Sequence, residues 1–190
     1  LHLGEMNDGV AANANMSIDA TGKVGIGTTG PAELLHVKDA TGGKLHLQST
    51  GTDSWAYTIY QNDARVWRAG VRGDVGDQFT IYDQTAAAHR MLIDTSGNVG
   101  IGVTPESWHS NWDAVLQIGA TTSIGNYGGT DTYIMENAYH DGSWKRQTES
   151  HASKFGNYAG TYLFSVAGSS TANSTITWTD ALAIDNAGNV

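Results

Sequence analysis

Cysteine is absent from all 190 residues, which excludes disulfide staples and thiolate metal sites, so a fold with a small core must gain stability some other way. Proline occurs only 2 times, charged residues make up 15%, and no run of Lys or Arg is longer than Lys145–Arg146. With a formal net charge of -9 the chain has no basic footprint for a phosphate backbone, which speaks against nucleic acid as a partner. No apolar stretch approaches the roughly 18 to 20 residues that cross a bilayer as a helix, and the first residues carry no basic and apolar regions of a secretion signal. We therefore expect a soluble chain without membrane insertion. What is abundant is glycine, 24 residues, with Ser, Thr and Asn between short apolar runs. That composition suits many short strands and an all-β fold.

Self-similarity is the main signal. MSIDATGKVGIGTTGP at 16–31 recurs as MLIDTSGNVGIGVTP at 91–105, with nine of fourteen positions identical from Met16 and Met91 onward. A third copy opens at 184–190, where IDNAGNV matches IDTSGNV at five of seven positions. The copies are spaced 75 residues (93 − 18) and then 91 residues (184 − 93) apart, which fits a fixed connector between variable modules better than uniform solenoid rungs. The expected organisation is the end of a preceding unit at 1–15, a first β module with its connector at 16–90, a second at 91–180, and the start of a third connector at 181–190. Because the sequence stops inside that motif, we expect it to continue in a longer polypeptide.

Each copy has a readable geometry. Asp19 to Gly22, Asp94 to Gly97 and Asp185 to Gly188 place an Asx hydrogen-bonding residue at the start of a tight turn and a left-handed glycine at its end, which predicts a β-hairpin. Met16 and Ile18 share one face of the entering strand, and Val24 and Ile26 one face of the leaving strand. The other face of the leaving strand carries Gly25 and Gly27, repeated as Gly100 and Gly102. Glycine inside a strand costs about 0.5–1 kcal/mol relative to alanine, so the pattern calls for another backbone at close range, and we expect that backbone to come from a neighbouring copy. A lone hairpin would not offset its ordering entropy of roughly 1–2 kcal/mol per residue, so the residues require a partner surface.

The pattern Ile-Asp-x-x-Gly-Asn-Val-Gly-Ile-Gly-x-Thr-x-Pro, followed by Leu35-His36-Val37 in the first copy, resembles the repeat of tail fibres and related appendage proteins of bacteriophages. The motif covers 16–37, 91–118 and 181–190. Lys23 and Gly30 depart mildly from it, and a Trp108- and Trp112-bearing insert lengthens the second copy. The resemblance implies an elongated parallel homotrimeric fibre of short antiparallel sheets joined by glycine-rich hairpin connectors. It also implies a virion tail location, contact with other virion tail proteins, and host attachment through a cell-surface glycan or protein. Two rival readings stay open, a polysaccharide-depolymerase tailspike segment and a cellular surface adhesin.

Between the connectors, β-prone runs are expected at 55–60, 65–71, 78–83 and 90–94, then at 132–140, 144–150, 161–166 and 175–184. Tyr127 to Tyr139 and the turn Asp141 to Trp144 are expected on the outside, where recognition commonly lives. Trp144, in a polar turn, is the expected exposed aromatic, and with Tyr139 and Tyr127 it is the candidate for stacking on sugar. Trp108, Trp112 and Tyr158 share that chemistry, although core packing explains such residues equally well.

Other chemistry is weaker. Gly25-Ile-Gly-Thr-Thr-Gly30 matches a dinucleotide fingerprint by letter, but no βαβ unit follows and the second copy lacks the third glycine. His2, His36 and His46 each sit between apolar residues, and so are expected to face solvent. No His-x-His pair occurs, so no metal and no cofactor are expected. Asp131, Glu136, Asp141 and Glu149 could supply a glycosidase pair, yet no spacing selects two of them. Ser, His and Asp occur without a Gly-x-Ser-x-Gly elbow. The expectation is therefore a non-enzymatic chain, with no catalytic residues.

Overall fold

The computed structural model describes residues 16–190, so the readings of 1–15, including His2, lie outside the described residues. The chain forms two units, Leu1–Gln48 and Ser49–Val190. It is all-β: apart from a 3-10 turn at Gly73–Val75, the described elements are strands.

In the first unit β1 (Met16–Ile18) pairs antiparallel with β2 (Val24–Ile26), and β2 pairs parallel with β3 (Leu35–Val37). The expected hairpin is there. The parallel third strand adds a ladder that antiparallel modules alone do not provide.

The second unit is built on one eleven-stranded sheet. Its strands are β4 (Trp55–Gln61), β5 (Val66–Arg72), β6 (Gln78–Asp83), β7 (Ala88–Ile93), β8 (Val99–Ile101), β9 (Trp112–Ile118), β10 (Thr122–Tyr127), β11 (Asp131–Glu136), β14 (Ser150–Tyr158), β15 (Thr161–Ser170) and β16 (Thr179–Ile184). They lie side by side in chain order, interrupted only by a two-stranded hairpin of β12 (Tyr139–His140) and β13 (Trp144–Lys145). Every ladder is antiparallel except β8 with β9, the counterpart of β2 with β3. The boundary expected at 90/91 falls inside β7, at the bulge where its register with β6 shifts between His89 and Met91.

One face of this sheet holds the core. Val115 on β9, Tyr133 and Met135 on β11, Ala152 on β14 and Ala167 on β15 are buried there with Trp112, Ala138 and Ile176. Trp108, Trp144 and Trp178 pack against them from segments that fold back over the sheet. The central strands carry little apolar length because their inner positions are small. A Cβ on Gly125 would stand 2.9 Å from the Trp112 ring, and one on Gly156 would stand 2.2 Å from the Tyr133 ring. Neighbouring rings fill the space that these residues leave empty.

Candidate functional site

The three Asp-x-x-Gly turns share one geometry. Gly22, Gly97 and Gly188 have φ of 85°, 88° and 84°, and each donates its N–H to the carbonyl of its Asp at 3.1, 3.0 and 3.0 Å. The Asp carboxylate accepts from the backbone two and four residues on: Thr21 and Lys23, Ser96 and Asn98, Ala187 and Asn189. The Thr21 hydroxyl and the Lys23 N–H hold the Asp19 carboxyl below its ordinary range, and the Asn189 side chain does the same for Asp185.

Behind each turn the two complete connectors pair their strands in the same register. Gly25 lies opposite Ser17 and His36, and Gly100 opposite Leu92 and Gln117. The glycines are buried, but by their own chain: a Cβ on Gly25 would stand 2.3 Å from the Thr28 carbonyl oxygen, and one on Gly100 would stand 2.1 Å from that of Val103. This corrects the expectation that a neighbouring copy's backbone lies on the glycine face. The chain leaves the strand through a left-handed glycine, Gly27 at φ 73° or Gly102 at φ 69°, and folds its next carbonyl onto the bare Cα.

The apolar face is the open one. Following the register from edge to edge gives Leu182, Phe164, Phe155, Ile134, Ile124, Leu116, Val99, Ile93, Phe79, Val71 and Ala56, one residue from each of eleven strands. Residues directly opposite one another share a face, so this is one uninterrupted apolar row on the side away from the core. Leu182, Phe164, Ile134, Ile124, Phe79 and Val71 are between 38% and 48% exposed. The adjacent row continues it with Ile118, Ile101, Met91, Ile81 and Ala69. A trough of about 260 Å³ runs beside Ile134, Phe155, Phe164 and Val166. In the first unit, Ile18 and Ile26 are exposed in the same pattern opposite Val24 and Val37.

The aromatic candidates lie on the core side. Trp144, Tyr139 and Tyr127 gather around Trp112: Trp144 and Tyr127 meet its ring edge-on at 5.9 and 5.4 Å, and Tyr139 meets Trp108 at 6.3 Å. The exposure expected for Trp144 is corrected, because the β12–β13 hairpin folds inward and sets the indole against Tyr133, Trp178 and Lys154. Tyr139 is buried and donates to Asn173 Oδ1 at 2.9 Å. Between Tyr127 and Tyr139 runs the central strand β11, not an outer loop. Lys154 sits 5.3, 4.8 and 5.0 Å over Tyr133, Trp144 and Trp178, and burial pushes its ammonium pKa down. Desolvation raises the Tyr133 phenol to about 12.

The remaining candidates do not converge. His36 is half-buried instead of facing solvent, because its Nδ1 accepts from the Ala32 N–H at 3.2 Å; His46 is exposed. Asp131 is buried beside Thr130, Asp141 pairs with Lys145, and Glu136 accepts from Thr122. Lys145–Arg146, the single basic pair, divides its work. Arg146 is buried and donates to the carbonyls of Ser150, Thr175 and Gly168 and to the Ser174 hydroxyl. No family model matches the chain, and no curated protein matches it in sequence.

Proposed function

We propose that this chain is a structural and adhesive segment of a phage tail fibre, in which three parallel copies pack their apolar sheet faces around a common axis. The observation that carries the reading is the apolar row that crosses all eleven strands and stays open in the single chain. Paired strands advance about 4.8 Å each along the hydrogen-bonding direction, so ten steps give a spine of roughly 48 Å. Such a spine runs across the strands, which is the direction a fibre grows when modules are added end to end. The row also twists, because neighbouring strands rotate by roughly 20–25°, and copies wound round one another can follow it. Burying the remaining exposed area of each large row residue contributes about 1–2 kcal/mol, and six to eight such residues per copy offset the entropy of association.

The repeat motif supplies the phage part of the reading, and the open apolar row fits a scaffold that presents binding surface to a host-cell glycan or protein. On this reading the chain is no enzyme, it joins other virion tail proteins, and it acts outside the cell on the tail appendage.

The mass in solution tests the assembly. The native chain should sediment as a trimer, and Ile134→Lys with Phe79→Lys should release monomers that keep their β spectrum. A stable wild-type monomer at micromolar concentration overturns the proposal. Antibody against the chain should decorate the tail appendages of particles; decoration of cell envelopes alone would move the fibre to a cellular adhesin.

A further inference from the structure

On the core side of the sheet, among the described residues of this unit, no segment covers the end formed by β4, β5 and β6. Trp55 and Tyr57 on β4, Arg68 and Arg72 on β5 and Tyr82 on β6 close over Gly70 and Thr80 and leave a slot of only about 10 Å³ between them, and all five side chains are half-buried. The two arginines alternate with the rings. Arg68 lies 4.8 Å over Tyr57 and 5.4 Å over Trp55, while Arg72 lies 4.3 Å over Trp55 and 5.4 Å over Tyr82.

Their charges have different fates. Arg72 is spent inside the chain: its Nε and Nη2 donate to the two Asp74 oxygens at 3.0 and 2.8 Å, and Nη1 meets His89 Nε2 at 2.9 Å. Arg68 donates only Nε, to Gln84 Oε1 at 2.8 Å, and among the described residues its two Nη groups have no protein partner. The guanidinium is thus fixed at its base and on its face, with its outer edge free. Directly opposite it on β4, Ile59 presents an apolar side chain that is 54% exposed on the same face.

We propose that the outer surface of this rack, around the free edge of Arg68, is a binding site for a carboxylate-bearing sugar. A planar fork with both outer nitrogens free takes the two oxygens of a carboxylate together, and holding it against rings removes the entropy that a mobile arginine would lose on binding. The C–H face of the pyranose then rests on Ile59 and the Tyr57 edge. One free cation matches one carboxylate. A chain of net charge -9 has little general attraction for anions, so this local fork supplies the recognition. The inference rests on the fibre reading only in that copies occupy the opposite face and leave this one open. Repetition along a trimer makes weak individual sites effective on a polymer.

Glucuronic acid is the probe, with glucose and the methyl ester of glucuronic acid as neutral comparisons, followed by calorimetric titration of the intact chain. Glucuronate should bind with a Kd of about 1–10 mM, and both neutral sugars at least about tenfold more weakly. Arg68→Gln should lose about tenfold or more, and Arg68→Lys about three- to tenfold, since a point charge cannot take both oxygens. Arg65→Gln, at the same end but paired with Asp83, should bind as the native chain does. No binding by the native chain, equal binding of glucose, or unchanged binding by Arg68→Gln would each overturn the site. The sedimentation mass and melting curve of Arg68→Gln should match the native chain, which separates loss of the site from loss of assembly. A monomeric native chain that still binds glucuronate through Arg68 sinks the fibre reading and keeps the site.

Discussion

The two ends of the eleven-stranded sheet differ on one face in a way that connection length explains. From β9 to β15 the segments around 137–149 and 171–178 are long enough to fold back, and they bring Trp144, Trp178 and Ile176 over Tyr133 and Met135. From β4 to β7 the connections are tight, 62–65, 73–77 and 84–87, so these connections cannot cover Trp55, Tyr57 and Tyr82. The covered end solves its inner face with hydrophobic burial and a pinned arginine, whereas the open end lays guanidinium groups on rings. Where the chain can cover itself it builds core, and where it cannot it leaves a surface that a ligand can use.

Breaking the pin should have the largest effect. Arg146 is a buried cation that ties the covering segments to β15 through carbonyl acceptors, and among the described residues no carboxylate pairs with it. Arg146→Met leaves those acceptors unsatisfied and should cost about 3 kcal/mol, a fall of roughly 6–12 °C in Tm. The corresponding change at the open end, Arg72→Met, removes one partly exposed ion pair, the bond to His89 and two ring contacts, and should cost about 1–2 kcal/mol. Equal losses in thermal melts would mean that the covering segments are no firmer than the open rack.

Next comes the strand beneath the cover. Gly156→Ala drives a Cβ into the Tyr133 ring and should destabilise by about 1–3 kcal/mol. A neutral outcome in denaturant titration would place that ring elsewhere. This glycine also explains what could not be read in the sequence. The Asp turns at 19, 94 and 185 were legible, because Asx chemistry and a left-handed glycine are local. β10 and β14 were not, since Ser123, Gly125, Ala152 and Gly156 are small where a strand pattern calls for large apolar residues, and the missing volume is supplied by Trp112 and Tyr133 from other strands. The eleven-residue row was likewise invisible. Each member is one ordinary apolar residue in its own strand, and only the register of ten ladders aligns them. Trp144 misled because its neighbours Asp141 and Lys145 are polar, although they pair with each other at the rim and leave the indole to turn inward.

Alkali should report on the covered end. Desolvation raises the Tyr133 phenol to about 12 from its ordinary value of 10.0, so the folded chain holds that proton more tightly than the unfolded one. The stability it contributes is complete below pH 10 and is lost as pH rises through 12. Burial raises Tyr139 as well, so phenolate absorbance should show a late tyrosine step, and Tyr133→Phe should remove its last part. A titration complete near 10 would mean that water reaches the ring.

The smallest expected effect separates the two ends through their histidines. Burial lowers both His89 at the open end and His140 at the covered end, and the next cause is charge repulsion, from Arg72 for His89 and from His109 for His140. A lowered folded pKa means that the unfolded chain takes up the proton first, so each histidine's contribution is present above about pH 6.5 and is lost as pH falls below it. Arg72→Gln removes the cation from His89 alone, whose Nε2 it meets at 2.9 Å, and should move the His89 midpoint upward while the His140 midpoint stays in place. Proton NMR of the ring C–H signals distinguishes the two. If both midpoints move together, the ends are coupled through the sheet and the open rack is not an independent surface; if His89 moves alone, the rack can be altered without disturbing the core that supports it.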